Sequence, residues 1–436
     1  MEQTSRHWSA RLPFYYGWLI VGIAFVTMAI GVTGRTAFSL LMPPLIDEFK
    51  WDRGLAAGAF SFGFLVSAAL SPIVGRVMDA RGPRIVILTG VALMSAGLLL
   101  APLVTSPWHL YVTLGVAVGG GANMMTYTAH SQFLPNWFVR RRALAISIAF
   151  AGAGVGAVLL LPWLQTIILA KGWRASCVAM GWLVLLGIAP LTPLVKKGPA
   201  DVGQGPDGDS ASPDMAAKRN AAAIVDPVWA ATEWTLGRAV RTVRFWWIVL
   251  GYFLALTAWY AAQVHQTKYL LEIGFSPLVA AWALGAVSVI AIPGQILLGG
   301  LSDRIGREWI WTVGCLGFVF SCAALLALEH WQSSTLLYSM VFAQGFFGYA
   351  LTSVMGPIVA EIFEGPHYGS VFGTVTIALI GGGAAGPWMA GAIHDATGSY
   401  RLAFLLIITF CLVSVVAIWM AGPRKIRVVA GRAPQS

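Results

Sequence analysis

The sequence predicts an all-α membrane protein whose twelve transmembrane helices form two pseudo-symmetric six-helix bundles. Three observations carry that prediction. The 436 residues are 58% apolar and only 11% charged, against roughly 45–50% and 25% in soluble domains. Apolar runs long enough to cross about 30 Å of hydrocarbon recur along the chain, and mean hydropathy is +0.75. Two loops carry the same motif at equivalent places in the two halves.

In order, the first six runs are Phe14–Leu41, Ala56–Gly75, Ile85–Val104, Leu110–Phe133, Leu144–Leu164 and Trp173–Leu194. The stretch before the first, "MEQTSRHWSARLPFYYGW", leads into an apolar segment too long for a cleavable signal peptide, so that segment is read as a span. After a polar interval come Phe245–Leu271, Leu278–Leu298, Trp309–Leu328, Thr335–Val359, Val371–Ala392 and Leu402–Ala421. The expected domains are a bundle over 1–195, a linker over 196–244 and a bundle over 245–436. Cys177, Cys315, Cys322 and Cys411 all lie inside apolar runs without a CxxC pair. They read as small core residues, and no metal site or cofactor is expected.

Basic residues orient the spans. Arg6 and Arg11, Arg76, Arg81 and Arg84, Arg140 to Arg142, the linker's Lys196, Lys197, Lys218, Arg219, Arg238, Arg241 and Arg244, Arg304 and Arg307, and the C-terminal Arg424, Lys425, Arg427 and Arg432 all fall on one side. The other side holds only Lys50, Arg53, Lys171, Arg174, Lys268 and Arg401. The positive-inside rule then puts both termini in the cytoplasm. The net charge of +10 is a topology signal, and nucleic acid is not an expected partner. The linker divides into "KKGPADVGQGPDGDSASPDMAAKRN", whose Gly, Pro, Asp and Ser predict disorder, and "WAATEWTLGRAVRTVRFWW", read as an amphipathic helix on the membrane surface.

The duplicated loop is "GRVMDARGPR" (Gly75, Asp79, Arg81, Gly82, Arg84) and "GGLSDRIGRE" (Gly299, Asp303, Arg304, Gly306, Arg307). A Gly bend with an Asp near a helix end and flanking Arg can tie neighbouring helices by charge-assisted bonds, which makes it a candidate gating motif. Glycine runs repeat too: "AGAGVG" in the fifth span and "GGGAAG" in the eleventh. No strand precedes the first, so a dinucleotide fingerprint is excluded and close helix packing is expected.

These features resemble the major facilitator superfamily, with the doubled loop as the most specific mark. "YYGWLIVGIAF", "GGGANMMTYTAHSQFLPNWFVRRRALAISIAFAGAGVG", "HQTKYLLEIGFS" and "TGSYRLAF" are similar to segments of monocarboxylate transporters and their prokaryotic relatives. The resemblance implies carriage of small organic anions by alternating access about a midplane site, often with a proton. It also implies a multi-pass protein of the plasma membrane, or of the inner membrane in a bacterium. A co-transported proton removes a cost of about 2.3 kcal/mol per 100 mV for moving an anion into a negative cell.

Candidate site residues follow. Arg35 lies in the outer third of the first run, where a cation either faces a cavity or snorkels. The family's carboxylate-binding cation maps to Thr36, one residue away. Asn123, Tyr127 and His130, spaced i, i+4, i+7, share a helical face, fit for a cavity wall or for bonds between helices. Tyr260 and Gln263 in the seventh run and Gln344, Tyr349 and Thr352 in the tenth are further substrate candidates. His265, which matches the relatives and carries the imidazole suited to a proton carrier, and Lys268 are candidates for proton coupling. The family's Asp and Arg pair of the eighth span is missing: Ser288 and Ile292 stand there. That departure favours anion exchange, of the oxalate/formate type, as an alternative to proton symport. A drug/proton exporter is the other alternative. No enzyme motif occurs among HExxH, nucleophile elbow and Walker loop, so an enzyme is not expected.

Overall fold

The computed structural model describes residues 14–51, 53–208 and 222–429. Among them, ten helices are long and apolar enough to cross a membrane. Two breaks bring the spans to twelve. The 53-residue stretch Arg142–Leu194 turns at Gly172, where φ is 80° and ψ 168°, a backbone open to glycine and few others. The fourth span is divided into Pro107–Leu110, Tyr111–Val118, Gly119–Met125 and Tyr127–Phe133. Spans 1 to 3 are Tyr16–Phe49, Arg53–Arg81 and Pro83–Leu103; spans 5 and 6 are residues 142–171 and 173–194. Spans 7 to 12 are Val243–Glu272, Pro277–Ile305, Arg307–Leu328, Ser334–Ile362, Tyr368–Thr397 and Arg401–Ala421.

Span 1 corrects one expectation. Pro43 and Pro44 sit inside the helix Phe38–Phe49 and do not end it. Arg35 therefore lies just past the middle of a 34-residue span, not in its outer third.

The glycine runs set the pseudo-symmetry. A Cβ on Gly152 or Gly156 of span 5 would strike the carbonyl oxygens of Phe25 and Ala29 on span 1. A Cβ on Gly382 or Gly386 of span 11 would strike those of Phe253 and Thr257 on span 7. Each half thus presses the same two helices together backbone to backbone, as small residues allow where lipid supplies no hydrophobic drive. Gly156→Val is expected to cost about 1–3 kcal/mol by overpacking, read as a lower melting midpoint of the purified protein; an unchanged midpoint would contradict the close approach.

The two bundles meet on the face where the described chain begins and ends, called the terminal face below. Asp79 accepts from the backbone N–H groups of Gly369 and Ser370, both at 2.8 Å, and from Ser370 Oγ at 2.7 Å. Asp303 accepts from the N–H groups of Ala143 and Leu144, both at 3.1 Å. Each carboxylate takes first-turn N–H groups of a helix in the opposite bundle, where orphan donors and the helix dipole favour an anion. Gly75 lies against Gly369 and Gly299 against Ser147, with no room for a Cβ at either glycine. Gly82 and Gly306 turn the chain with φ of 79° and 115°. The flanking arginines behave unequally. Arg307 is buried and bonded to Asp303 and to Glu361, while Arg81, Arg84 and Arg304 are exposed. Arg142 adds an ion pair with Glu364 at 3.3 Å. The described hydrogen bonds and ion pairs between the bundles all lie toward this face.

The linker departs from the expected disorder in its first part. Asp207 accepts from the N–H groups of Val139 and Arg140 at 3.0 and 2.9 Å, and Gln204 Oε1 accepts from Tyr16 N–H at 3.3 Å. The polar side chains that suggested disorder bond the start of span 1 and the loop between spans 4 and 5. In place of one amphipathic helix there are two short ones, Pro227–Ala231 and Leu236–Ala239, and Trp229 Nε1 donates to Ile362 O of the second bundle at 2.7 Å. Residues 209–221, with Lys218 and Arg219, lie outside the described residues, as do Arg6, Arg11 and Arg432.

Candidate functional site

A cavity of about 170 Å³ lies between the bundles. Ser131, Met355 and Phe372, close to Tyr368, whose hydroxyl donates to Ser131 O, form its end nearest the terminal face; Arg35, Phe64 and Gly383 form the other. At about 10–15 Å³ per water-sized group, it takes roughly a dozen non-hydrogen atoms.

Arg35 is its one cation among the described residues. The guanidinium carbon sits 3.7 Å from the centre of the Phe64 ring and 5.9 Å from that of Phe60, a cation–π arrangement. Its Nη2 is buried and has no hydrogen-bond partner among the described residues. No Asp, Glu or His lines the cavity among the described residues. The remaining wall is aromatic and aliphatic, from Phe64, Phe150, Leu256, Trp259, Met355, Phe372, Leu379 and Ile380, with hydroxyls from Thr126, Tyr127, Thr128, Ser131, Tyr260, Thr352 and Thr376.

The polar stripe of span 4 does not hold as a stripe. The helix breaks at Thr126, where φ is −121° and ψ −142°, so residues on either side of the break no longer share a face. Tyr127 is 39% exposed, into the cavity, edge-on to Phe150. Asn123 reaches the cavity but spends its amide on Ser67 O and Ser71 Oγ of span 2 at 3.2 and 3.1 Å. His130 is fully buried, off the cavity, with Nε2 2.6 Å from Thr27 Oγ1 of span 1.

Span 10 departs for a similar reason. A π-helical turn at Ala343–Phe347 followed by a 3₁₀ turn at Gly348–Ala350 shifts its register. Thr352 reaches the cavity, whereas Gln344 is fully buried away from it. Tyr260 lines the cavity; Gln263 and Tyr349 stand one layer behind. Gln263 accepts from Trp259 Nε1 at 3.0 Å and donates to the Tyr349 hydroxyl at 3.0 Å, so the two hold the Trp259 indole at the wall.

The coupling candidates lie elsewhere. His265 Nε2 is 2.9 Å from Pro387 O and its Nδ1 3.1 Å from the Tyr400 hydroxyl. In its neutral form the ring donates to the carbonyl and accepts from the phenol, tying spans 7, 11 and 12 together. Lys268 is exposed and pairs with Glu272 at 3.8 Å. Sequence reasoning missed Phe64, Phe150, Trp259 and Phe372, because an aromatic residue in an apolar run carries no mark of whether it faces lipid or a cavity.

Comparisons with known proteins agree with this architecture. The model of the Major Facilitator Superfamily matches residues 23–351 and 248–435. Monocarboxylate transporter 13 of Rattus norvegicus is 27% identical over 91% of this chain and 87% of its own length. Monocarboxylate transporter 12 of the same species is 28% identical over 90% and 82%. Among solved structures, the proton:xylose symporter XylE superposes with a TM-score of 0.76 at 14% identity, over 93% of this chain and 95% of that one. The human organic anion transporter MFSD10 superposes with a TM-score of 0.67 at 15% identity, over 93% and 99%. Two six-span halves clasped at one face around a central cavity, matched along nearly the whole length, make this chain a transporter that belongs to the major facilitator superfamily.

Proposed function

We propose that the protein carries small organic monoanions, monocarboxylates with an aromatic or branched apolar body, by alternating access through Arg35. The observation that carries this is the buried Nη2 with no acceptor. An unpaired buried charge costs several kcal/mol, and a visiting carboxylate offsets that cost by accepting two parallel bonds from the guanidinium fork. One cation with no acid beside it matches a single negative charge. The aromatic wall and room for about a dozen atoms match a solute larger than a three-carbon acid. With the basic terminal face in the cytoplasm, the arrangement described is closed toward the cell interior and loads from outside. It would act in the plasma membrane, or the inner membrane of a bacterium.

A second reading concerns coupling. Proton symport is what the likeness to monocarboxylate transporters suggests, yet His265 and Lys268 both stand off the cavity. The lining favours exchange of one anion for another: an empty carrier would have to cross with Arg35 unpaired, and a counter-anion removes that barrier. An exporter of cationic drugs has no acid to meet its cargo among the described lining residues.

The test is uptake into proteoliposomes of labelled phenylacetate, lactate, oxalate and a lipophilic cation, with and without an imposed pH gradient and with and without internal unlabelled anion. Faster uptake of phenylacetate than of the others, accelerated by internal anion, is the expected result. Preference for oxalate or for the cation would overturn the monoanion reading, and acceleration by the pH gradient alone would overturn exchange.

A further inference from the structure

A second cavity, of about 620 Å³, opens on the terminal face between spans 5 and 8. Arg140, Arg141 and Arg304 line it. Two acids share the wall: Asp303 is fully engaged, and Asp207 is bonded through Oδ2 while its buried Oδ1 has no hydrogen-bond partner among the described residues. Asp303 is held by Arg307 and by the N–H groups of span 5. Asp207 takes two backbone N–H groups and lies 3.7 Å from Arg140 Nε. That leaves Arg141, from the first bundle, and Arg304, from the second, as exposed cations with no ion pair among the described residues.

The apolar part of the wall says what kind of anion fits. Leu297, Leu301 and Arg304 line the cavity together at i, i+4, i+7, which places them on one helical face. Leu297 is 61% exposed and Leu301 39%. Read toward the terminal face, this side of span 8 runs apolar, apolar, cationic over about 10 Å. A free phosphate would use the cation and leave the leucines idle. A phospholipid uses all three, with its acyl chain along the leucines and its headgroup at the arginine.

We propose that this groove binds an anionic phospholipid whose phosphate bridges Arg141 and Arg304. The bridge spans the two bundles beside the Asp303 clamp, so the lipid binds the closed terminal face better than an open one. By linkage it then shifts the carrier toward the closed form.

The test titrates the purified full-length protein in detergent with phosphatidylglycerol, phosphatidylcholine or inorganic phosphate while following the melting midpoint, and counts retained phosphatidylglycerol by native mass spectrometry. Expected is stabilisation by phosphatidylglycerol alone, with at least a tenfold loss of apparent affinity and one fewer retained lipid in Arg141→Gln/Arg304→Gln. The control Arg238→Gln/Arg241→Gln, on the same face outside the groove, should behave as the unaltered protein. Equal retention in the double variant, or equal stabilisation by inorganic phosphate, overturns the proposal. Should the double variant fail to fold, photoactivatable phosphatidylglycerol on the unaltered protein decides: label concentrated on the peptide holding Leu297 and Leu301 supports the site, and label spread evenly over the spans overturns it.

Discussion

Arg35→Ala is expected to lower the initial rate of phenylacetate uptake by about 10- to 100-fold, and to leave the melting midpoint of the substrate-free protein unchanged or raised. Hydrogen bonds to a charged group contribute about 1.5–3 kcal/mol, and each 1.4 kcal/mol is a factor of about ten. The stability half of the expectation separates a binding role from a structural one. Nη2 has no hydrogen-bond acceptor among the described residues, so truncation removes a buried donor that no protein acceptor satisfies. What it loses is the stacking on Phe64, worth roughly 0.5–2 kcal/mol. Arg35→Lys should keep part of the activity with a raised KM, because an ammonium retains the charge but not the planar fork. Near-normal uptake in both variants would remove Arg35 from the site, and a steep loss of stability in Arg35→Ala would recast it as structural.

The largest stability effect is expected at the ion-pair cluster on the terminal face. Arg307 is 1% exposed, donates from Nε to Glu361 at 2.8 Å and from Nη1 to Ser302 Oγ at 2.7 Å, and is paired with Asp303. Arg307→Ala would leave two carboxylates facing each other in the interior, a change that costs about 3–5 kcal/mol. Asp303 keeps its two N–H donors from span 5; Glu361 keeps no bonded partner among the described residues. Arg307→Met combined with Glu361→Leu should therefore recover much of the loss, since apolar replacement of a buried pair is often neutral. In the first copy of the motif Pro83 stands in the register of Arg307, and Arg84 is exposed. Arg84→Ala should change stability by less than about 0.5 kcal/mol. Thermal melts of the three variants check the set; a loss at Arg84 as large as at Arg307 would refute the asymmetry.

Much of the fold was legible because membrane burial writes itself into composition. Twelve apolar runs, the cationic loops and the paired glycine runs each follow from one local requirement, and each needs no knowledge of distant residues. The doubled Gly and Asp motif was legible as an element that ties neighbouring helices. Its partners were not, since Asp79 and Asp303 bind backbone N–H groups, which every residue but proline carries. Within the site, Tyr260 and Thr352 were readable as polar residues in apolar spans. His130 took the second of its two readings, a bond between helices, and Gln344 lies off the cavity, because helical spacing assumes an unbroken helix, and Thr126 and the bulge at Ala343–Phe347 break it.

The sequence by itself determined the class of the protein, its two halves and the rare cation in its first span. Only the tertiary structure decided that this cation sits at mid-span in a cavity without an acid, and that His265 and Lys268 stand elsewhere. The physical reason is that lipid and a cavity wall both accept apolar side chains. Which of the two a given residue faces depends on how helices far apart in the chain pack against one another.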